Sequence, residues 1–93
     1  MPVKRLSITI TGRVQGVGYR YFAQDAANAL GLSGWVRNNF DRSVECEVQG
    51  EAADLKRFCE SLREGPPLSR VTNVASCELP VVKGERSGFE ITT

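Results

Sequence analysis

Histidine is absent from this chain of 93 residues. Its absence removes the commonest general base and the commonest transition-metal ligand together, so any catalysis must run on other groups. Charge of one sign is also lacking: 12 basic residues against 11 acidic ones leave a net charge of +1. A nucleic-acid-binding domain normally carries a clearly basic balance, so nucleic acid is not an expected partner. No apolar run approaches the roughly 18–20 residues that span a bilayer, and no membrane contact is expected. The opening MPVKRLSITI has neither the hydrophobic core nor the cleavage site of a secretory signal, which makes a cytoplasmic location the expectation. Cysteine is scarce, and Cys46, Cys59 and Cys77 lack the paired spacing of zinc ligands or a redox motif. They are expected to be reduced thiols acting as small apolar residues. What remains is 41% hydrophobic and 25% charged, the composition of a soluble globular protein with one core. A single domain over residues 1–93 is expected.

The hydrophobic pattern divides into short elements. RLSITIT alternates, with Leu6, Ile8 and Ile10 on one face, as a half-buried strand does. From about Tyr21 to Leu30, the residues Phe22, Ala26, Ala29 and Leu30 share a helical face, and Gly31 supplies the stop. GWVRNNF and SVECEV read as two strands joined by a hairpin around Asp41 and Arg42, with Val44, Cys46 and Val48 pointing inward. Leu55, Phe58, Cys59 and Leu62 recur at helical spacing between Ala52 and Glu64, and GPP at 65–67 ends that helix. RVTNVASCELP is a further strand, and FEIT a short one near the end. The order predicts an α+β fold: a ferredoxin-like βαββαβ sandwich whose mostly antiparallel sheet of four to five strands carries two helices on one face.

The chemistry concentrates in TGRVQGVGYRYF, Thr11 to Phe22. A strand feeding a glycine-rich turn that opens a helix gathers unpaired N–H groups in one place. Such a nest, with the helix dipole behind it, suits phosphate. Arg20 falls in the first turn, where a cation opposes the dipole by about 0.3–1 kcal/mol unless an anion lies between them. There is no G-K-[ST], so this is no Walker-type loop, and the glycine spacing is not the dinucleotide fingerprint. On spacing alone the stretch reads equally as a tight connection beside a surface arginine.

GRVQGVGYR (Gly12–Arg20) closely resembles the first signature of the acylphosphatase family, and GWVRNNFDRSVECEVQG (Gly34–Gly50) resembles the second. GPPLSRVTNV and the FEI near the end are also similar to the family, so the resemblance covers nearly the whole chain. It implies the same ferredoxin-like fold and a hydrolase that cleaves the carboxyl–phosphate bond of small acyl phosphates, releasing inorganic phosphate, with no metal and no cofactor. Family members of this length resemble free-standing monomers. Carried onto this chain, the resemblance makes the main-chain amides of Gln15, Gly16, Val17, Gly18 and Tyr19, together with Arg20, the phosphate-binding groups. It makes Arg20 and Asn38 catalytic, with Asn38 orienting the attacking water. One position departs: Arg42 stands where the second signature carries a turn glycine, and the expectation is that Asp41 takes the unusual backbone angles instead.

The lack of histidine fits such chemistry. A carboxylate leaves without a strong general acid, and phosphoryl transfer relies on positioning and charge stabilisation. An amide side chain orients water but removes no proton. Asn38 is expected to share a strand face with Val36 and Phe40, and Asn39 is a possible supporting residue on the opposite face. Trp35, Tyr19 and Tyr21 are expected to pack, and arginines other than Arg20, including Arg13, to be solvated. Two other readings were open. An RNA-binding module on the same fold lacks the strand aromatics it would need in SITIT and SVECEV. A regulatory domain that binds phosphate or carbamoyl phosphate without hydrolysing it would have no use for both Arg20 and Asn38.

Overall fold

The computed structural model describes residues 2–92. The elements follow as β1 (Val3–Arg13), α1 (Tyr19–Ala29), β2 (Ser33–Asn38), β3 (Val44–Glu51), α2 (Ala52–Glu64), β4 (Arg70–Leu79) and β5 (Phe89–Ile91). The strands form one sheet in the order β4-β1-β3-β2-β5. β5 runs parallel to β2, and the other neighbours are antiparallel. Both helices pack on one face, so the ferredoxin-like α+β expectation is borne out.

Alternation in three strands builds the core face. The register sets Ile8 beside Cys46 and Val36, and Ile10 beside Val44 and Asn38. All of these except Asn38 are fully buried apolar residues, so a single carboxamide ends an otherwise apolar row. The second helix meets this face with Leu55, Phe58 and Leu62, as its spacing predicts, and Phe58 stands edge-on to Phe89 at 5.7 Å.

The first helix differs from expectation. It begins at Tyr19, and its buried stripe is Tyr19, Ala23 and Ala27, while Ala29 is exposed. The reason is Tyr19, which packs as expected and opens the helix early, its hydroxyl donating to the Leu62 carbonyl at 2.7 Å. The helix ends where the Leu30 and Leu32 N–H groups both reach back to the Ala27 carbonyl. Tyr21 and Phe40 are also corrected: both are exposed, and β2 stops at Asn38 before Phe40 can share its face. The thiols split, with Cys46 buried, Cys59 half-buried and Cys77 exposed on β4, so Cys77 fills no core space.

The chain crosses the open face of the sheet between β4 and β5, and this crossing buries a charge. Arg5, expected in solvent, is 4% exposed. Its Nε donates to Glu47 at 3.0 Å and its Nη1 to Glu85 at 2.7 Å, and Ser33 Oγ donates to the same Glu85 oxygen at 2.7 Å. Gln49, which lies between Arg5 and Ser33 in the register, exchanges two hydrogen bonds with the main chain of Val82. A buried guanidinium needs such company, because stripping its hydration is costly unless every proton finds an acceptor. The far edge is closed differently. Asn28 of α1 accepts from the Phe89 N–H at 3.0 Å and donates to the Phe89 carbonyl at 3.4 Å, and Gln24 donates to the same carbonyl.

Burial alone would raise the Glu85 carboxyl, but the hydrogen bonds from Arg5 and Ser33 hold it below its ordinary 4.5. A depressed folded value stabilises above the unfolded pKa and is lost as pH falls through the folded one. Glu85→Gln should therefore cost about 1–3 kcal/mol at neutral pH, a penalty that shrinks below about pH 4.5. Urea unfolding at the two pH values checks it, and a gap as wide in acid as at neutrality would contradict the account.

Candidate active site

β1 and β2 run in the same direction, because each pairs antiparallel with β3 between them. Their C-terminal ends therefore meet at one end of the sheet, together with the loop that opens α1. Val14, 1% exposed, and Val17 fix that loop to the core. Between and after them, Gly16 has φ 74° and Gly18 φ 79°, and a Cβ at either position would meet nothing within 4 Å. The need for glycine is conformational, since an L side chain at such angles costs about 1–2 kcal/mol. The curved backbone also stays bare. Among the described residues, no main-chain N–H from Gln15 to Arg20 donates to a protein acceptor. Gly18 caps the helix without a side chain, and no acidic residue stands in the first turn. The positive end of the helix is thus left without an anion of its own.

Gln15 ties this loop to the β2–β3 hairpin. Its Nε2 donates to the Asn39 carbonyl at 2.8 Å and to the Ser43 carbonyl at 2.9 Å. Sequence reasoning used only the main chain of Gln15 and missed this side chain, although a polar residue inside an apolar-flanked glycine loop was the available signal. Asn39 lies beyond the strand and supports the turn, its Nδ2 donating to Ser43 Oγ at 3.1 Å.

Asn38 sits at the last position of β2 with its carboxamide on the core face. Its Oδ1 is buried and, among the described residues, has no hydrogen-bond partner. An orphaned acceptor of this kind is costly unless something donates to it. Asn38 is one of the residues lining a cleft of about 620 Å³, with Gln15, Arg37, Asn39, Phe40 and Arg42. Of the residues singled out from sequence, Gln15 and Asn38 line this cleft, while Gly16, Val17, Gly18, Tyr19 and Arg20 do not. Tyr19 can offer only its N–H, since its ring is core and its hydroxyl is engaged. Arg20 is half-buried in the first turn of α1, and among the described residues it forms no ion pair. Arg37 differs, being paired with Glu45 at 3.0 Å and stacked 5.1 Å from the Trp35 ring.

A family model described as Acylphosphatase matches residues 6–91. The chain belongs to the acylphosphatase family. It is 45% identical over 92 residues to an acylphosphatase of Syntrophobacter fumaroxidans, covering 99% of this chain and 94% of that one. It is 42% identical over 87 residues to an acylphosphatase of Bifidobacterium longum, covering 94% and 90% of the two chains. The crystal structure of acylphosphatase from Bacillus subtilis matches with a TM-score of 0.92 at 38% identity, over 97% of this chain and 99% of that one. Membership makes this chain an acylphosphatase enzyme, a hydrolase.

Against the second acylphosphatase signature, the departure at Arg42 resolves otherwise than expected. Arg42 itself adopts φ 75°, the only positive φ among the described non-glycine residues. The hairpin is a turn from Asn39 to Arg42, closed by the Arg42 N–H to the Asn39 carbonyl at 3.2 Å, with Arg42 itself as the bulge residue in the left-handed region. Asp41 does not take that role; its carboxylate instead accepts from the Ser43 hydroxyl at 2.6 Å and the Ser43 N–H at 3.0 Å, which ties the turn to the start of β3. These bonds also hold the Asp41 carboxyl below its usual value. Arg42→Gly should accordingly stabilise the fold by about 1 kcal/mol, offset in part by added freedom of the unfolded chain. Thermal or denaturant unfolding of the variant measures it, and a loss of stability would show that the angle carries no strain.

Proposed function

We propose that the chain hydrolyses small acyl phosphates to a carboxylate and inorganic phosphate. The observation that carries this reading is the buried, unpartnered Oδ1 of Asn38 beside a bare glycine loop. The N–H groups of Gln15 to Tyr19 and the guanidinium of Arg20 hold the phosphoryl oxygens. Arginine suits this task because its planar fork can donate two parallel hydrogen bonds to one phosphoryl group. Asn38 Oδ1 accepts a hydrogen bond from water and keeps its oxygen aimed at phosphorus. The new water–phosphorus bond forms as the phosphorus–acyl oxygen bond breaks, the carboxylate leaves with the electron pair, and the water proton passes to a phosphate oxygen. Every step uses fixed donors and positioning, the main sources of rate in phosphoryl transfer.

The same reading takes residues 1–93 as one domain that acts alone, as a monomer in the cytoplasm, without nucleic acid, metal or cofactor. No helix among the described residues is long and apolar enough to cross a membrane. A regulatory domain that only binds phosphate is the other reading, and turnover separates the two.

Asn38→Ala should lower kcat by roughly 10²–10³-fold, by analogy with loss of one oxyanion donor, and leave inhibition by inorganic phosphate nearly unchanged. Arg20→Gln should weaken both phosphate binding and turnover. Steady-state kinetics with benzoyl phosphate read both effects. Near-normal kcat in Asn38→Ala would remove the water-positioning role.

A further inference from the structure

Gln15 has space on both sides. Beyond the cleft that Asn38 lines, a second cavity of about 390 Å³ is bounded by Gly12, Arg13, Val14, Gln15 and Arg42. Gln15 and Arg42 are the two residues common to both cavities. The second cavity has two arginines and no acidic residue in its lining. Both arginines are exposed, and among the described residues neither forms an ion pair. The nearest acid in sequence, Asp41, is committed to Ser43 and does not line the space. Arg42 is also the described non-glycine residue that keeps a left-handed angle, a strain of the kind found at binding positions.

We propose that Arg13 and Arg42 form a second anion subsite, which selects acyl phosphates whose acyl group ends in another oxyanion. This rests on the hydrolysis described above. In-line displacement sets the leaving carboxylate opposite the attacking water. Gln15 and Arg42 border both cavities, so the second adjoins the one that Asn38 lines, and in the proposed arrangement the acyl group extends into it, away from the water. A terminal carboxylate or phosphate there meets two unpaired guanidinium forks, while a neutral acyl group gains nothing from them.

The subsite is read first by binding, without turnover. In titration calorimetry at low salt, 2-carboxyethylphosphonate should bind about three- to tenfold more tightly than propylphosphonate. Arg13→Ala and Arg42→Gly should each shrink that ratio, glycine being chosen because it accommodates the turn angle. About 1 M salt, with its Debye length of roughly 3 Å, should abolish it. Arg86→Ala, which removes an equal charge elsewhere, should leave the ratio intact. In turnover, the kcat/KM ratio of succinyl phosphate to butyryl phosphate should follow the same order. A wild-type ratio near one, or an equal fall in Arg86→Ala, overturns the subsite. Phosphonate discrimination that obeys these variants in a protein hydrolysing neither substrate supports the subsite and removes the hydrolase reading instead.

Discussion

One side-chain amide holds the two halves of this site together. Gln15 Nε2 spans from the glycine loop to two carbonyls of the β2–β3 hairpin, at 2.8 and 2.9 Å. The loop carries the bare N–H groups, and the hairpin begins where Asn38 ends β2. β1 and β2 are not neighbours in the sheet, since β3 lies between them, so ladder hydrogen bonds alone do not fix the loop against Asn38. A hydrogen bond of this kind is worth about 0.5–1.5 kcal/mol, modest for stability. Its larger effect is geometric, because phosphoryl transfer depends on positioning that an error of an ångström can spoil.

The polar groups at this end of the sheet divide between engaged and free. Ser43, Asp41, Asn39 and the Gln15 amide nitrogen satisfy one another and make a rigid turn. Among the described residues the loop N–H groups and Asn38 Oδ1 are uncommitted, which leaves the first to donate to an anion and the second to accept from water. The molecule thus spends its internal hydrogen bonds on the frame and leaves the reactive surface free. Under the proposed function, that division also suits a chain without histidine, since each free group would either donate to an oxyanion or orient solvent.

Much of this was legible in the sequence because it depends on local periodicity. The alternation of Ile8, Ile10, Val44, Cys46 and Val48 fixes their facing, and the spacing of Leu55, Phe58 and Leu62 gives the second helix its buried side. The positive φ angles of Gly16 and Gly18 follow from residue type. What escaped was set by partners far along the chain. Arg5 sits among polar neighbours on an open face and reads as solvated, but the segment before β5 covers it with Glu85, 80 positions away. Tyr19 packs as expected, but the partner that satisfies its hydroxyl, the Leu62 carbonyl 43 residues on, was hidden. Arg42 was misjudged for a local reason instead, since Asp41 is the better residue for the left-handed region in isolation and is occupied here by Ser43.

The Asn28 carboxamide lies along β5 as a borrowed strand would, donating and accepting at Phe89. Among the described residues, the opposite margin has no such cover along its length: β4 is ten residues long and largely exposed. A bare edge strand is where chains add to one another when they aggregate. Self-association of this protein would then grow from one side, with Cys77 on the joining strand as its natural cross-linking reporter.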